Sequence, residues 1–398
     1  MERNVPKLRF KGFNDEWELS NLKKLCDINP KSKELPDKFL YIDLESIVDG
    51  VLIKKNIIEL KDAPSRAQRL LNVGDVLFQT VRPYQMNNYL FEYEFNYKSV
   101  ASTGYAQLRC KNYISNNKFI YQVLHNKKFN NKVMLRCTGT SYPAINSSEL
   151  VTIPLRIPSL QEQERIANFL TKVDKIIEKQ EEKVKNLENY KKGMMQKIFS
   201  QEIRFKDENG EVYPEWEERR LGDFIIEYTE KTTENNQYEP LTSSRKGLFL
   251  QSEYFNKQIA SEDNTGYNIV PKGYFTYRHM SDDSIFYFNI NDIIDFGIVS
   301  TLYPVFTVNE GMNSRFLRYY LNEGYDFKKY CLLQKQGGSR TYMYLNKLKG
   351  FRGKFPVIME QNKIAKFLLD IDSLVNKEKE KLEELKQWKK GLLQQMFV

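Results

Sequence analysis

Histidine and cysteine are scarce in this sequence, and their scarcity excludes much of the usual side-chain chemistry. The 398 residues include two histidines, which leaves almost no candidates for imidazole catalysis. The four cysteines are too few for a disulfide framework, and none of them form a CxxC pair for a metal or redox centre. We expect reduced thiols.

Several catalytic motifs are missing as well. The sequence contains no two adjacent prolines, which excludes the D/N-P-P-aromatic motif that amino-methyltransferases use to hold a target adenine. It also lacks the GxxxxGKS/T phosphate loop of P-loop ATPases and the HExxH motif of zinc proteases. We therefore predict that the chain alone binds no cofactor or metal and transfers no methyl group.

Long apolar runs are absent too. No stretch approaches the roughly 20 apolar residues of a membrane-spanning helix, and the opening MERNVPKLRFKGF contains no apolar signal-peptide core. These features predict a cytoplasmic protein with no membrane association. Lysine and arginine outnumber acidic residues 61 to 52, and the net charge of +9 favours a polyanionic partner such as nucleic acid.

The sequence repeats one pattern twice. Arg9, Phe10, Trp17 and Leu22 recur in the same order as Arg204, Phe205, Trp216 and Leu221. The stretch PSLQEQERIANFLTKVDKIIEKQ from Pro158 aligns without a gap with PVIMEQNKIAKFLLDIDSLVNKE from Pro356, at an offset of 198 residues. A repeat of this length indicates a duplicated domain with an attached helix.

The repeated ends predict two long helices at 158–200 and 356–398, after globular parts at 1–157 and 201–355. Apolar residues recur there at alternating steps of three and four, as in a coiled coil. The predicted seam consists of Ile166, Leu170, Val173, Ile177, Val184, Leu187, Ile364, Leu368, Ile371, Val375, Leu382 and Leu385. A pseudo-twofold between the copies favours antiparallel pairing. The alternative is that each helix packs only on its own domain.

The globular parts combine short strands with helices. GDVLFQTV, KGYFTYRHM and SIFYFNI are typical of strands, whereas NNKFIYQVLHN and SRFLRYYLNEG are typical of helices. Their irregular order predicts a mixed α/β (α+β) class for each domain rather than a doubly wound sheet.

Over its whole length the chain resembles the specificity subunits of type I restriction-modification enzymes. The resemblance rests on the WE…L opening of each half, the GDVLF strand from Gly74, the TSS-KG loop from Thr242, and the P…EQ-I-A-FL start of each long helix. One departure is that Gly74-Asp75 is answered by Gly273-Tyr274, which leaves the pairing of those strands open.

The resemblance implies a non-catalytic subunit that binds double-stranded DNA sequence-specifically. In that family each globular part is a target recognition domain for one part of a bipartite site. The helices form an antiparallel spacer that docks two methyltransferase subunits, and restriction (motor-nuclease) subunits join for cleavage. S-adenosylmethionine would then belong to the methyltransferase partner, and ATP and Mg²⁺ to the restriction partner.

Polar and basic loop residues of the globular parts are the candidate DNA contacts. Arginine suits guanine edges, Asn and Gln suit adenine, and Ser, Thr, Lys and Tyr suit phosphates. The candidates are Thr80, Arg82, Tyr84, Gln85, Asn87, Asn88, Thr138, Thr140, Ser141, Tyr142, Ser243, Ser244, Arg245, Lys246, Tyr277, Arg278, His279, Ser281, Lys335, Gln336, Ser339, Arg340 and Tyr342.

Two other functions remain open at the level of sequence. One is a standalone two-headed DNA-binding or architectural protein, whose coiled coil is only a spacer. The other is a Mg²⁺-dependent nuclease, because Asp37, Glu59 and Lys61 fit a loose carboxylate, carboxylate, lysine pattern. A chain so rich in charged residues produces such matches easily.

Overall fold

The computed structural model describes residues 4–32, 34–254, 263–335 and 340–398. The chain divides into two compact units: unit 1 comprises Met1–Glu182 and Lys379–Val398, and unit 2 comprises Lys183–Glu378. Each unit therefore contains one globular part together with segments of both long helices.

The globular part of unit 1 contains two four-stranded sheets. One has the order Asn56–Glu59, Lys38–Ile42, Ser99–Ser102, Ala67–Leu70, and the other Cys26–Ile28, Tyr105–Cys110, Val76–Gln79, Tyr89–Leu90. Short antiparallel pairs join Glu18–Asn21 to Pro154–Ile157 and Ile47–Val48 to Val51–Leu52. The helices are Leu22–Leu25, Asn117–Leu124, Lys127–Met134 and Ser147–Leu150, with 3-10 turns at Leu60–Asp62 and Pro83–Gln85.

The predicted GDVLF strand is confirmed as Val76–Gln79, and it is buried on both faces. Val76 and Phe78 belong to the apolar cluster that includes the helices, whereas Leu77 belongs to a second cluster with Leu40 and Tyr105. Successive side chains of a strand point to opposite faces, so one short strand contributes to two cores. This explains why its apolar run is nearly continuous.

Unit 2 repeats the arrangement. Its four-stranded sheets have the orders Ile225–Tyr228, Val305–Val308, Phe275–Thr276, Asn289–Ile290 and Gly247–Leu250, Glu239–Ser244, Phe296–Val299, Asn268–Pro271. Antiparallel pairs join Glu217–Arg220 to Arg352–Phe355 and Met280–Ser281 to Thr341–Tyr342. The helices are Gln251–Tyr254, Ser314–Glu323, Tyr325–Leu333 and Leu345–Gly350, with a 3-10 turn at Leu221–Asp223. The predicted mixed α/β class is confirmed.

The strand predictions for KGYFTYRHM and SIFYFNI hold only in part. Phe275–Thr276, Met280–Ser281 and Asn289–Ile290 are strands, and the residues between them are not. Tyr277, directly after the first of these strands, has a completely buried ring, and its hydroxyl donates to the Met343 carbonyl at 2.8 Å. The predicted helices over NNKFIYQVLHN and SRFLRYYLNEG are confirmed as Asn117–Leu124 and Ser314–Glu323.

The two long helices span Leu160–Phe199 and Ile358–Gln395. Within each unit, ion pairs between the two long helices show that the helices are antiparallel. In unit 1, Lys389 bonds Asp174 and Lys386 bonds Glu181, both at 2.6 Å. In unit 2, Lys183 bonds Glu378 at 2.6 Å, and Lys191 bonds Asp372. In both units one residue number rises as the other falls, so the helices pair in opposite directions.

Most of the predicted seam side chains are buried. Ile166, Leu170, Val173, Ile177, Val184, Ile364, Leu368, Ile371 and Val375 are buried, whereas Leu187, Leu382 and Leu385 are half-buried. Ile166 and Leu170 also join the core of unit 1, and Ile364 and Leu368 that of unit 2. Packing between helices and packing on the domains therefore occur together, although the sequence had posed them as alternatives.

Candidate nucleic-acid interface

A buried carboxylate at the start of each long helix holds the opening segment of its globular part. In unit 1, Glu162 accepts two hydrogen bonds from the Arg9 guanidinium, each of 2.8 Å. In unit 2, Glu360 accepts bonds of 3.0 and 3.1 Å from Arg204, and a further one of 3.1 Å from the indole of Trp216. The repeated Arg and Glu residues are thus parts of the scaffold.

The glutamine after each of these carboxylates holds a second helix. Gln163 accepts a bond of 3.1 Å from the Asn116 amide, and Gln361 one of 2.8 Å from the Asn313 amide. Asn116 and Asn313 are the N-caps of Asn117–Leu124 and Ser314–Glu323. The Glu-Gln dipeptide at the start of each long helix therefore holds both the opening segment and one helix of its globular part in place.

The loop after Val76–Gln79 has a tightly defined backbone. Arg82 and Met86 have left-handed backbones, with φ of 54° and 52°, on either side of the 3-10 turn Pro83–Gln85. The Gln79 side chain donates to Gln85 at 2.8 Å and accepts from the Asn87 amide at 3.2 Å. These bonds shape the loop from within.

Two candidate loops of unit 1 meet at this point. The Arg82 amide donates to the Pro143 carbonyl at 2.7 Å, and the Arg82 guanidinium lies 4.3 Å from the ring centroid of Tyr142. Thr138 and Ala144 exchange backbone bonds of 2.9 Å, which closes the second loop. We call the surface formed by 80–88 and 138–142 loop cluster 1.

Loop cluster 1 exposes most of its candidates. Tyr84, Gln85, Thr138, Thr140, Ser141 and Tyr142 are exposed, and Arg82 and Asn87 are half-buried. Thr80 and Asn88 are buried instead: Thr80 donates to the Gly104 carbonyl at 2.8 Å, and Asn88 accepts from the Gln79 amide at 3.0 Å. These two side chains support the loop from inside.

Three candidate segments of unit 2 line or border one cleft of ≈ 200 Å³. The turn between Glu239–Ser244 and Gly247–Leu250 supplies Arg245 to its wall, and the segment after Phe275–Thr276 supplies Arg278. The pairing of Met280–Ser281 with Thr341–Tyr342 brings Arg340 beside it. Asn289 fixes one wall by donating to Ser243 and to the Ser244 carbonyl, both at 2.9 Å. We call this surface cleft 2.

Sequence reasoning missed the acidic side of cleft 2. Asp283 pairs with Arg245 at 2.6 Å, and Asp282 pairs with Arg340 at 2.9 Å. The Arg245 guanidinium, helped by a hydrogen bond from Ser281, lowers the pKa of Asp283 to about 2. The signal in the sequence was that two adjacent aspartates directly follow the predicted contact Ser281.

The other candidates of unit 2 differ in accessibility. Lys246, Arg278 and Lys335 are exposed, and Ser281 is buried. His279 is buried and its ring stacks on that of exposed Tyr344, with centroids 4.9 Å apart, while the Tyr342 ring lies 5.8 Å from Tyr344 and 6.1 Å from His279. Tyr277 lies in the core, and Gln336 and Ser339 lie outside the described residues.

Comparison with known proteins identifies the chain. The profile of the family described as type I restriction modification DNA specificity domain matches residues 14–189 and again 213–387. The chain belongs to this family. It is a specificity subunit, which is the recognition component rather than a catalytic component of such systems, as the resemblance implied.

Individual relatives support the assignment. The type I restriction enzyme MjaVIII specificity subunit of Methanocaldococcus jannaschii is 25% identical over 89% of this chain and 84% of its own length. The type I restriction-modification S subunit from M. genitalium aligns over 99% of both chains, with a TM-score of 0.57 and 17% identity. A chain solved in work on the assembly of the type I R-M system gives a TM-score of 0.58 at 19% identity, over 96% of this chain and 98% of that one. At these identities the structures establish the fold.

The structure also shows which residue of the second half corresponds to Asp75, a point that the sequence left open. Gly74 and Gly273 both have positive φ, of 96° and 83°, and donate bonds of 2.8 Å to Phe91 and Asn291 respectively. Asp75 and Tyr274 are therefore structural equivalents. Asp75 binds Arg109, whereas Tyr274 packs against another tyrosine.

The nuclease alternative gains no support from the geometry. Glu59 bonds Lys61 at 2.8 Å, which occupies two members of the proposed triad with each other. No cluster of three or more His, Cys, Asp or Glu side chains suited to a metal occurs in the described ranges.

None of the helices in the described ranges combines the length and apolar content needed to cross a lipid bilayer.

Proposed function

We propose that this specificity subunit reads a bipartite DNA target, with residues 1–157 reading one half through loop cluster 1 and residues 201–355 reading the other through cleft 2. The observation that carries the proposal is convergence. Candidate residues more than 50 positions apart in sequence, such as Arg82 and Tyr142, are brought into contact on a polar, partly cationic surface.

The chemistry of these surfaces suits DNA. Guanidinium forks can donate to guanine N7 and O6, amide side chains can pair with adenine, and hydroxyl groups and lysines can hold phosphates. Loop cluster 1 offers Arg82, Gln85 and Asn87 for such contacts, and cleft 2 offers Arg245, Arg278 and Arg340. Thr80, Asn88 and Tyr277 are left out of the proposed surfaces because they serve the protein interior.

The helical segments 158–200 and 356–398 form the spacer in this proposal, and their solvated faces dock two methyltransferase subunits. Methyl transfer then occurs in those subunits with S-adenosylmethionine, after the target adenine is flipped out of the duplex. Restriction subunits supply ATP- and Mg²⁺-dependent cleavage. The assembly works on DNA in the cytoplasm.

A domain exchange tests the modular reading. Residues 1–157 are replaced by the corresponding part of another specificity subunit, and methylated adenines are mapped in a host that expresses the chimera with its methyltransferase. We expect one half of the recognised site to change and the other to persist, with the reciprocal result when residues 201–355 are exchanged. A change in both halves from either exchange would contradict the proposal.

The standalone alternative predicts a different outcome. A two-headed DNA-binding protein without partners would be purified from its host without a methyltransferase, and deleting its gene would leave adenine methylation of the genome unchanged. The specificity-subunit proposal requires the loss of one methylated motif on deletion.

A further inference from the structure

Arg245 and Arg340 of cleft 2 are held from the same turn. They come from segments almost 100 residues apart, yet their carboxylate partners Asp283 and Asp282 are neighbours. Arg245 also lies over the ring of Tyr287, at 5.6 Å from its centroid. One short acidic turn thus sets the position of two guanidinium groups.

The turn itself is tied down on both sides. The Ser281 hydroxyl donates to Asp283 at 2.8 Å, and the Ile285 amide donates to Ser281 at 3.1 Å. Ser284 bonds Thr341 through their hydroxyls at 2.6 Å. These bonds fix the Asp283 carboxylate and the backbone of the turn that carries Asp282 before any ligand arrives, so the arginines need less ordering on binding.

Each of these arginines bonds its carboxylate partner through one nitrogen, and Arg340 also donates from Nη1 to the Met280 sulfur at 3.7 Å. Arg245 uses Nη2 toward Asp283 Oδ2, and Arg340 uses Nε toward Asp282 Oδ1. A guanidinium has five N–H donors, so a single charged contact leaves a pair of donors for another acceptor. Guanine offers such an acceptor pair, N7 and O6, in the major groove.

Other arginines of the protein show the contrasting arrangement. Arg109 gives both Nε and Nη2 to Asp75, each at 2.8 Å, and Arg315 gives both terminal nitrogens to Asp292. In those pairs two nitrogens on one side of the guanidinium group already bond a carboxylate of the protein. The pairs of cleft 2 therefore differ in geometry from the structural pairs.

We propose that Asp282 and Asp283 are positioning residues that orient Arg340 and Arg245 toward guanine edges in the major groove, so that the half-site read by residues 201–355 depends on guanine. The inference rests on the proposed function and adds the base class to it. The competing explanation is that both are ordinary exposed ion pairs, which contribute little.

The test uses the full-length chain with its methyltransferase partner. The methylated motif is mapped first, and binding is then measured on duplexes in which each base pair of the motif is replaced in turn. The variants are Arg245→Lys, Arg340→Lys, Asp282→Asn and Asp283→Asn. Asp292→Asn is the matched control, because it breaks an exposed Arg–Asp pair of unit 2 outside the cleft.

Each arginine variant should lose discrimination at one G·C pair of one half-site, by about ten- to a hundredfold, while its affinity for unrelated DNA stays unchanged. Each Asp→Asn variant should lose discrimination at the same pair as its arginine partner, although removal of a negative charge strengthens its binding to unrelated DNA. The control should keep the wild-type discrimination profile.

The inference is overturned if the arginine variants discriminate as the wild type does, if the affected pairs lack guanine, or if the Asp→Asn variants behave like the control. A wild-type chain that shows no preference for any motif would instead refute the proposed function itself. The two failures are therefore distinguishable.

Discussion

Removing the carboxylate of Glu360 should destabilise unit 2 more than removal of Glu162 destabilises unit 1. Both side chains are almost completely buried and hold an arginine of the opening segment. Breaking a buried ion pair costs about 3–5 kcal/mol. Arg204 keeps its bonds to two backbone carbonyls, and Arg9 keeps one, so the lower end of that range applies.

The expected difference comes from the tryptophans. The Trp216 indole donates to Glu360 at 3.1 Å, whereas no partner for the Trp17 indole nitrogen is found in the part of the chain that the structure describes. Glu360→Ala therefore leaves one more buried donor unsatisfied, which costs about 1–3 kcal/mol. We expect about 3 kcal/mol for Glu162→Ala and at least about 4 kcal/mol for Glu360→Ala.

Hydrogen exchange with mass spectrometry can measure each cost separately. A chain with two units need not unfold in one step, so one melting temperature does not report on either unit. A loss of about 3 kcal/mol should accelerate exchange roughly a hundredfold in the affected opening segment, 8–17 or 203–216. Glu164→Ala, an exposed change on the same helix, should have almost no effect.

Three results would refute this reasoning. The first is that both variants accelerate exchange by less than about tenfold, which corresponds to 1.4 kcal/mol. The second is that Glu162→Ala is the more damaging change, and the third is that either variant affects both opening segments equally.

Gly273→Ala should destabilise unit 2 by about 1 kcal/mol and accelerate hydrogen exchange there about fivefold, because a Cβ there meets no atom within 4 Å and only the strain at φ 83° opposes it; unchanged exchange in unit 2 would contradict this. Arg245→Ala should raise the pKa of Asp283 from about 2 toward its ordinary value, as followed by carboxyl carbon-13 NMR. If the pKa of Asp283 stays low in that variant, the Arg245 guanidinium is not the main cause of the lowered pKa. The stability that this pair contributes in the wild type is present above the ordinary aspartate pKa and is lost as pH falls toward 2. Burial lowers the pKa of His125, so the stability of unit 1 should be complete above the ordinary histidine pKa and decline as pH falls below it, and His125→Gln should remove that decline.

The repeated frame could be predicted from the sequence because its signals are local or periodic. The seam spacing predicted both long helices, and the matched offset predicted which residues are equivalent. The pairing of Arg245 with Asp283 could not be predicted in the same way, since it depends on how two distant turns meet. The burial of Asn88 and Tyr277 could not be predicted for a related reason: a polar side chain next to a strand can face inward when another segment provides a hydrogen-bond partner inside the protein.

The two units share a repeated framework but carry different loop surfaces, and this difference matters for the recognition of an asymmetric target. In both units a buried Glu–Arg pair and a Gln–N-cap bond fix the base of the globular part, and their distances differ by only a few tenths of an ångström. The loop tips are exposed and contribute little to either core, so a change at Tyr142 or Arg340 costs little stability. Loop cluster 1 accordingly sets an arginine against an aromatic ring, and cleft 2 sets arginines against carboxylates. Because one frame carries two different surfaces, the two halves of the proposed bipartite target need not be related in sequence.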